Sequence, residues 1–254
     1  MTGDVEDAAT SRCGFKRAEM FSEPLAGTVK PYDCHVLLCS GGAASWAQAT
    51  DKEAGPHAAL DAALQAPGVK AAVGKVKTTL FEAAEGDQEG DILLFPQMLR
   101  YRPAAGAAPE ATGWEPFVRD VLLRPGGATA AAPRCAPLPG AYAFVCAHAR
   151  RDKRCGVCGP PLIAALRAAA AQRGAPLAVR ACSHVGGHAY AGNVLVFDRA
   201  GGVPRGTWLG YVAPEDVASI VDDLVGQSKP PQPRLWCAPL ATLLILLRRR
   251  HARG

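Results

Sequence analysis

The sequence predicts an α/β protein built from two similar halves, with a metal site in the second. Three observations carry this. Short continuous apolar runs alternate with Ala- and Leu-rich stretches, as buried strands alternate with covering helices. The same order of elements occurs twice along the chain. Between the two occurrences, residues 125–140 (PGGATAAAPRCAPLPG) are rich in Ala, Pro and Gly, lack any amphipathic period and read as an interdomain linker. At 254 residues the chain has room for one or two domains.

In the first half, His35 to Cys39 reads as a strand, His57 to Leu64 as a short helix and Val76 to Glu82 as a second strand. Gly90-Asp91 leads into the strand Ile92 to Phe95, and Trp114 to Leu123 reads as a closing helix. The second half opens with the strand Tyr142 to Cys146. Pro160 then suits the first turn of a helix that runs to about Arg173 and stops at Gly174. Strands follow at Leu177–Cys182, Asn193–Asp198 and Thr207–Val212, and Pro214 starts a closing helix to about Val225. Two local matches make the repeat concrete: the strand ending in Cys39 resembles that ending in Cys146, and GDILLF (90–95) resembles GNVLVF (192–197). Strand, helix, strand, two more strands and a helix is the order of a thioredoxin-like fold. The expected organisation is a degenerate thioredoxin-like domain over 1–124, a linker over 125–140, a second thioredoxin-like domain over 141–234 and an apolar, basic tail over 235–254.

Composition narrows the function classes. Charged residues are 20% and apolar residues 49% of the chain, which excludes a wholly disordered or fibrous protein. The net charge of +5 is too small to imply nucleic-acid binding. Its clearest mid-chain concentration, Arg150, Arg151, Lys153 and Arg154, lies between two cysteines. Nine cysteines are an odd number and too few for a disulfide scaffold. The acidic start (Asp4, Glu6, Asp7) does not resemble a secretory or mitochondrial leader, so a reducing cytoplasmic setting is expected. Near the end, the apolar run Leu235 to Leu247 is shorter than a membrane span and broken by Pro239, and Arg248 to Arg250 follow it. A docked terminal segment is expected, with weak membrane-surface contact as the alternative and no integral span.

The chemistry concentrates in CAHARRDKRCGVCGPPL (146–162) and CSHVGGHAYAGN (182–193). Cys146, His148, Cys155, Cys158, Cys182, His184 and His188 are all possible metal ligands. Each segment follows a strand, and adjacent parallel strands would bring both loops to one end of the sheet. Cys182, at a strand end, reads as a buried hydrophobe, and His148 as a polar capping residue. Gly186-Gly187 between His184 and His188 disfavours a helix and favours a tight loop around a bound group.

These blocks resemble the sucrase/ferredoxin-like family, which includes the actin-patches-distal proteins and is described as thioredoxin-like 2Fe-2S ferredoxins. The resemblance rests on RRDKRCGVCGP (150–160) and CSHVGGHAYAGN (182–193). It extends to AGTVKPYDCHVLLC (26–39), GDILLFPQMLRYR (90–102) and GTWLGYVAPEDV (206–217). It implies one 2Fe-2S cluster, held by Cys146, Cys155, His184 and His188 in the pattern Cys-x8-Cys … His-x3-His. Two imidazoles in place of two thiolates make such a site less negative and raise its potential, as in Rieske centres. The implied role is a non-catalytic, proton-coupled one-electron carrier that meets a protein donor and acceptor through its basic loop, with no nucleic-acid partner. Cys13, Cys34 and Cys39 have no such histidine pair, so the first half is expected to support the second or to help form a docking surface.

Two alternatives use the same residues. Cys155 and Cys158 form a Cys-x-x-Cys before a helix, the arrangement of a thioredoxin-type disulfide oxidoreductase. That reading lacks the proline expected in the facing segment His188 to Asn193. Two cysteines and two histidines would also suit a structural zinc module. Phosphate-binding loops, G-x-S-x-G, H-E-x-x-H and paired sugar-hydrolysing carboxylates are not seen.

Overall fold

The computed structural model describes residues 13–104, 113–225 and 235–237, apart from 19, 21, 23, 51, 53 and 201. The side chains of 188, 200 and 235–237 lie outside the described set, as does the apolar run beyond Cys237.

The fold is mixed α/β around one ten-stranded sheet in the order β10-β9-β8-β6-β7-β2-β1-β3-β4-β5. In the first half, β1 (Cys34–Cys39) pairs parallel with β2 (Val76–Phe81) and antiparallel with β3 (Ile92–Phe95). β4 (Leu99–Tyr101) then pairs antiparallel with β3, and β5 (Cys135–Pro137) with β4. The second half repeats the arrangement. β6 (Ala141–Cys146) is parallel to β7 (Leu177–Cys182) and antiparallel to β8 (Val194–Ala200), which is followed outward by β9 (Val203–Leu209) and β10 (Leu235–Cys237). β5 falls inside the stretch that the sequence presents as a linker, so part of that stretch is an edge strand.

The halves meet at β2 and β7, which pair antiparallel at Phe81↔Cys182. The contact is short but fully hydrogen-bonded. Glu82 N–H donates to Ala181 O (3.0 Å), Ser183 N–H to Leu80 O (2.9 Å), and Leu80 N–H to Ser183 Oγ (2.9 Å).

Alternation along the strands sorts the core into layers. Val36 and Leu38 of β1 pack with Leu60 and Leu64 of α1 (Pro56–Leu64), Val69 of α2 (Pro67–Val73) and Phe117 of α3 (Glu115–Phe117). Ala143 and Val145 of β6 pack with Leu162 and Leu166 of α4 (Lys153–Arg173) and Ile220 and Val221 of α5 (Val217–Leu224). The other face forms one cluster shared by both halves, with Leu37, Phe81, Phe95, Phe144, Phe197 and Trp208. The Phe95 and Phe197 rings stack at 4.1 Å although β3 and β8 are five strand positions apart, about 24 Å in a flat sheet. The sheet therefore curls strongly around this shared core.

Two helices differ from the sequence expectation. The helix expected from Pro160 starts at Lys153, because the Asp152 side chain accepts the Arg154 N–H (2.9 Å) and sets the start a full two turns earlier. Pro160 and Pro161 lie inside it. The closing helix expected over Trp114–Leu123 is the single turn α3 running into a π-helical turn, Val118–Leu122.

Candidate metal centre

Cys146 and Cys182 end the parallel strands β6 and β7 in direct register, so the loops that follow leave the sheet at one end. Cys155 comes from the first turn of α4, which packs closely on the loop after β6. A Cβ on Gly159 would lie 2.7 Å from both Cys146 O and Ala147 Cβ, and one on Gly156 2.5 Å from Ala149 Cβ. Only glycine at these positions lets the helix bring Cys155 up to Cys146.

The loop after β7 delivers His184. Gly186 and Gly187 take φ of 92° and 59°, left-handed values that favour glycine, and Asn193 Nδ2 ties the turn down by donating to both their carbonyls (3.4 and 3.2 Å). His184 N–H donates to His148 Nδ1 (3.3 Å), and the His148 ring packs edge-on against Trp46 at 5.7 Å. His148, which the sequence offers as an ordinary capping residue, thus positions His184.

Three donors converge. His184 Nδ1 lies 3.8 Å from both Cys146 Sγ and Cys155 Sγ, and all three atoms fall within 4.8 Å of one another. Both cysteines are buried and free of disulfides, and His184 is half-buried. Hydrogen bonding from Cys155, helped by His184, holds the Cys146 thiol well below its ordinary value despite burial. That same hydrogen bond, with burial, pushes Cys155 up. The thiolate is the form of either sulfur that binds metal.

The other candidates fall outside this group. Cys182 is fully buried in the shared core, and burial, then the charge on Cys146, pushes its thiol well up. Cys158 accepts from Arg17 Nη1 (3.4 Å) and donates to Cys13 O (3.4 Å). Burial pushes its thiol up against the pull of Arg17, the opposite of what a redox nucleophile needs. His188 begins a 3-10 turn, His188–Tyr190, four residues after His184, and its side chain lies outside the described residues. In the first half, Cys39 ends β1 as Cys146 ends β6, but burial pushes its thiol up to about 12. Of the basic loop, Arg154 is paired with Asp152 at 2.9 Å, while Arg150, Arg151 and Lys153 are exposed.

Sequence reasoning passes over Arg17. It is only 3% exposed, and its guanidinium links Gly14 O (2.6 Å), Cys158 Sγ and Ala191 O (2.9 Å). It thereby ties the N-terminal segment to α4 and to the loop that carries His188. No local pattern marks it, because its partners beyond the N-terminal segment, Cys158 and Ala191, lie 141 and 174 residues away.

Fold and site together define a mixed α/β protein with a buried Cys/Cys/His group that could hold a metal. The sequence matches the sucrase/ferredoxin-like family over residues 25–236, and the chain belongs to that family. Curated relatives share shorter stretches. Altered inheritance of mitochondria protein 32 of Debaryomyces hansenii is 44% identical over 82 residues, 32% of this chain and 30% of that protein. Its namesake in Eremothecium gossypii is 32% identical over 128 residues, 48% and 34% of the two chains. Actin patches distal protein 1 of Saccharomyces cerevisiae is 33% identical over 103 residues, 37% and 32%. The matches thus span about a third of these relatives' lengths. No solved structure matches significantly. Among the described residues, no helix is long and apolar enough to cross a membrane.

Proposed function

We propose that the chain is an electron-transfer protein that holds one 2Fe-2S cluster through Cys146, Cys155, His184 and His188, on the second of two thioredoxin-like units. The observation that carries this is the convergence of two buried sulfurs on His184 Nδ1. These soft donors fit an iron–sulfur centre, which takes four protein ligands, and the family pattern supplies His188 as the fourth.

When bound, such a cluster takes up and gives back one electron. The protein's part is to hold and tune it. The ends of β6 and β7 and the first turn of α4 fix three donors on rigid elements, and His148 and Asn193 orient the loop that bears the fourth. His184 turns Nδ1 to the sulfurs and borders a cavity through which a proton on its ring can exchange with solvent. Arg150, Arg151 and Lys153, next to Cys155, present positive charge to an acidic protein partner, an encounter suited to small, transient interfaces.

Anaerobic purification of the full chain with iron, sulfide and zinc analysis and a visible spectrum tests the proposal. Two irons and two sulfides per chain with a brown-red colour are expected. A colourless protein with stoichiometric zinc would make the same donors a structural zinc site, and a metal-free folded protein would remove the reading altogether.

A further inference from the structure

We infer that a small organic anion binds in the cleft between the two halves, in contact with His184. A cavity of about 550 Å³ opens there, within the range of small-molecule sites. The pairing of the halves explains its walls. Continuing the β2·β7 register past Phe81↔Cys182 carries residues 183–187 back along β2, towards Lys77 and Lys75. The cleft therefore combines side chains from residues far apart in sequence.

Its charge is one-sided. Among the described residues that line it, Lys30, Lys75, Lys77 and Arg151 stand against one carboxylate, Asp61, which already accepts a hydrogen bond from Thr78 Oγ1 (2.8 Å). Neutral donors add to this. Among the described residues, the N–H groups of Gly186 and Gly187, both at the cavity wall, make no hydrogen bond. A donor without a partner favours a bound group that supplies an acceptor. Converging ammonium, guanidinium and amide donors recognise phosphoryl or carboxylate oxygens. Trp208 and Tyr32, joined by a Trp208 Nε1 to Tyr32 Oη bond (2.7 Å), give the same cleft an aromatic wall for the organic part of the ligand.

The inference concerns the cavity and does not depend on the metal reading. The test is isothermal titration calorimetry on the full chain as purified, with metal content measured in parallel, using pyrophosphate and citrate as probes. Binding of at least one is expected, and the tighter probe tells a phosphoryl from a carboxylate ligand. Lys75→Ala/Arg151→Ala, both at exposed positions, should weaken binding by about a hundredfold, roughly tenfold for each lost charged hydrogen bond. Lys16→Ala/Lys70→Ala, both at exposed positions outside the cavity, removes the same charge and should change affinity by less than about twofold. No binding of either probe, or equal weakening in the two double variants, would overturn the inference.

Discussion

Cys155 and Cys158 sit three residues apart on one helix, and the structure gives them opposite surroundings. Cys155 Sγ faces His184 Nδ1 at 3.8 Å, whereas Cys158 Sγ faces Arg17 and the Cys13 carbonyl. Replacing Cys158 by Ala removes one buried sulfur and two long hydrogen bonds. Arg17 keeps its shorter bonds to Gly14 O and Ala191 O, so no cation is stranded. The summed cost is about 2 kcal/mol, which lowers the melting temperature by about 4–8 °C in a chain of this size. Metal content should be unchanged. Cys155→Ala removes a donor and should abolish the visible spectrum, with iron falling to background while circular dichroism stays folded. His184→Ala, at a half-buried position, gives a second donor deletion with less packing loss. The assay is iron and sulfide per folded chain, paired with a thermal melt. Iron lost from a folded Cys158→Ala protein, or a full complement in Cys155→Ala, would refute the assignment.

Further outcomes follow from other parts of the structure. The Asp87 side chain is buried and pairs with Arg100 (2.6 Å) and, across to β7, with Arg180 (2.5 Å). Asp87→Asn removes the charge between these cations, but Arg100 keeps Gly86 O and Asp91 and Arg180 keeps two backbone carbonyls, so the cost should be about 1–3 kcal/mol, or roughly 2–12 °C in a calorimetric melt; a shift of a degree or less would show that the pairing contributes nothing. His35 is fully buried, hydrogen-bonded to Thr79 Oγ1 (2.8 Å), and held well below 6.5 by burial and then by Lys77, so it stays neutral when folded while the unfolded chain gains a proton. Its contribution is therefore present above pH 6.5 and lost at about 1.4 kcal/mol per pH unit below it. Urea unfolding between pH 5 and 8 should show this slope, flattened by about one proton in His35→Gln, and an unchanged slope would contradict it. If His184 Nε2 takes up a proton with the electron, film voltammetry should show the potential falling by about 59 mV per pH unit, and the His184→Cys/His188→Cys variant should show a flat, lower potential. A flat wild-type profile would remove that coupling.

Local pattern was enough for much of this protein. The runs that became β1, β3 and β6 were legible because a strand buried on both faces is largely apolar, whatever packs against it. Cys146, Cys155 and His184 were among seven possible ligands that the sequence gathers in two short segments, and the family resemblance picked them out together with His188. The start of α4 was not, since Pro160 suits a first helical turn as well as the interior place it takes once Asp152 caps the helix earlier. The role of His148 and the docking of Arg17 also needed the fold, as did the charged cleft. The cleft depends on which edge strand of one half meets the other, and the β2·β7 register sets that between residues about a hundred positions apart. Sequence periodicity reports only how a segment buries itself. Which donors meet, and what charge gathers beside them, was decided by the curling of one sheet around a core that both halves share.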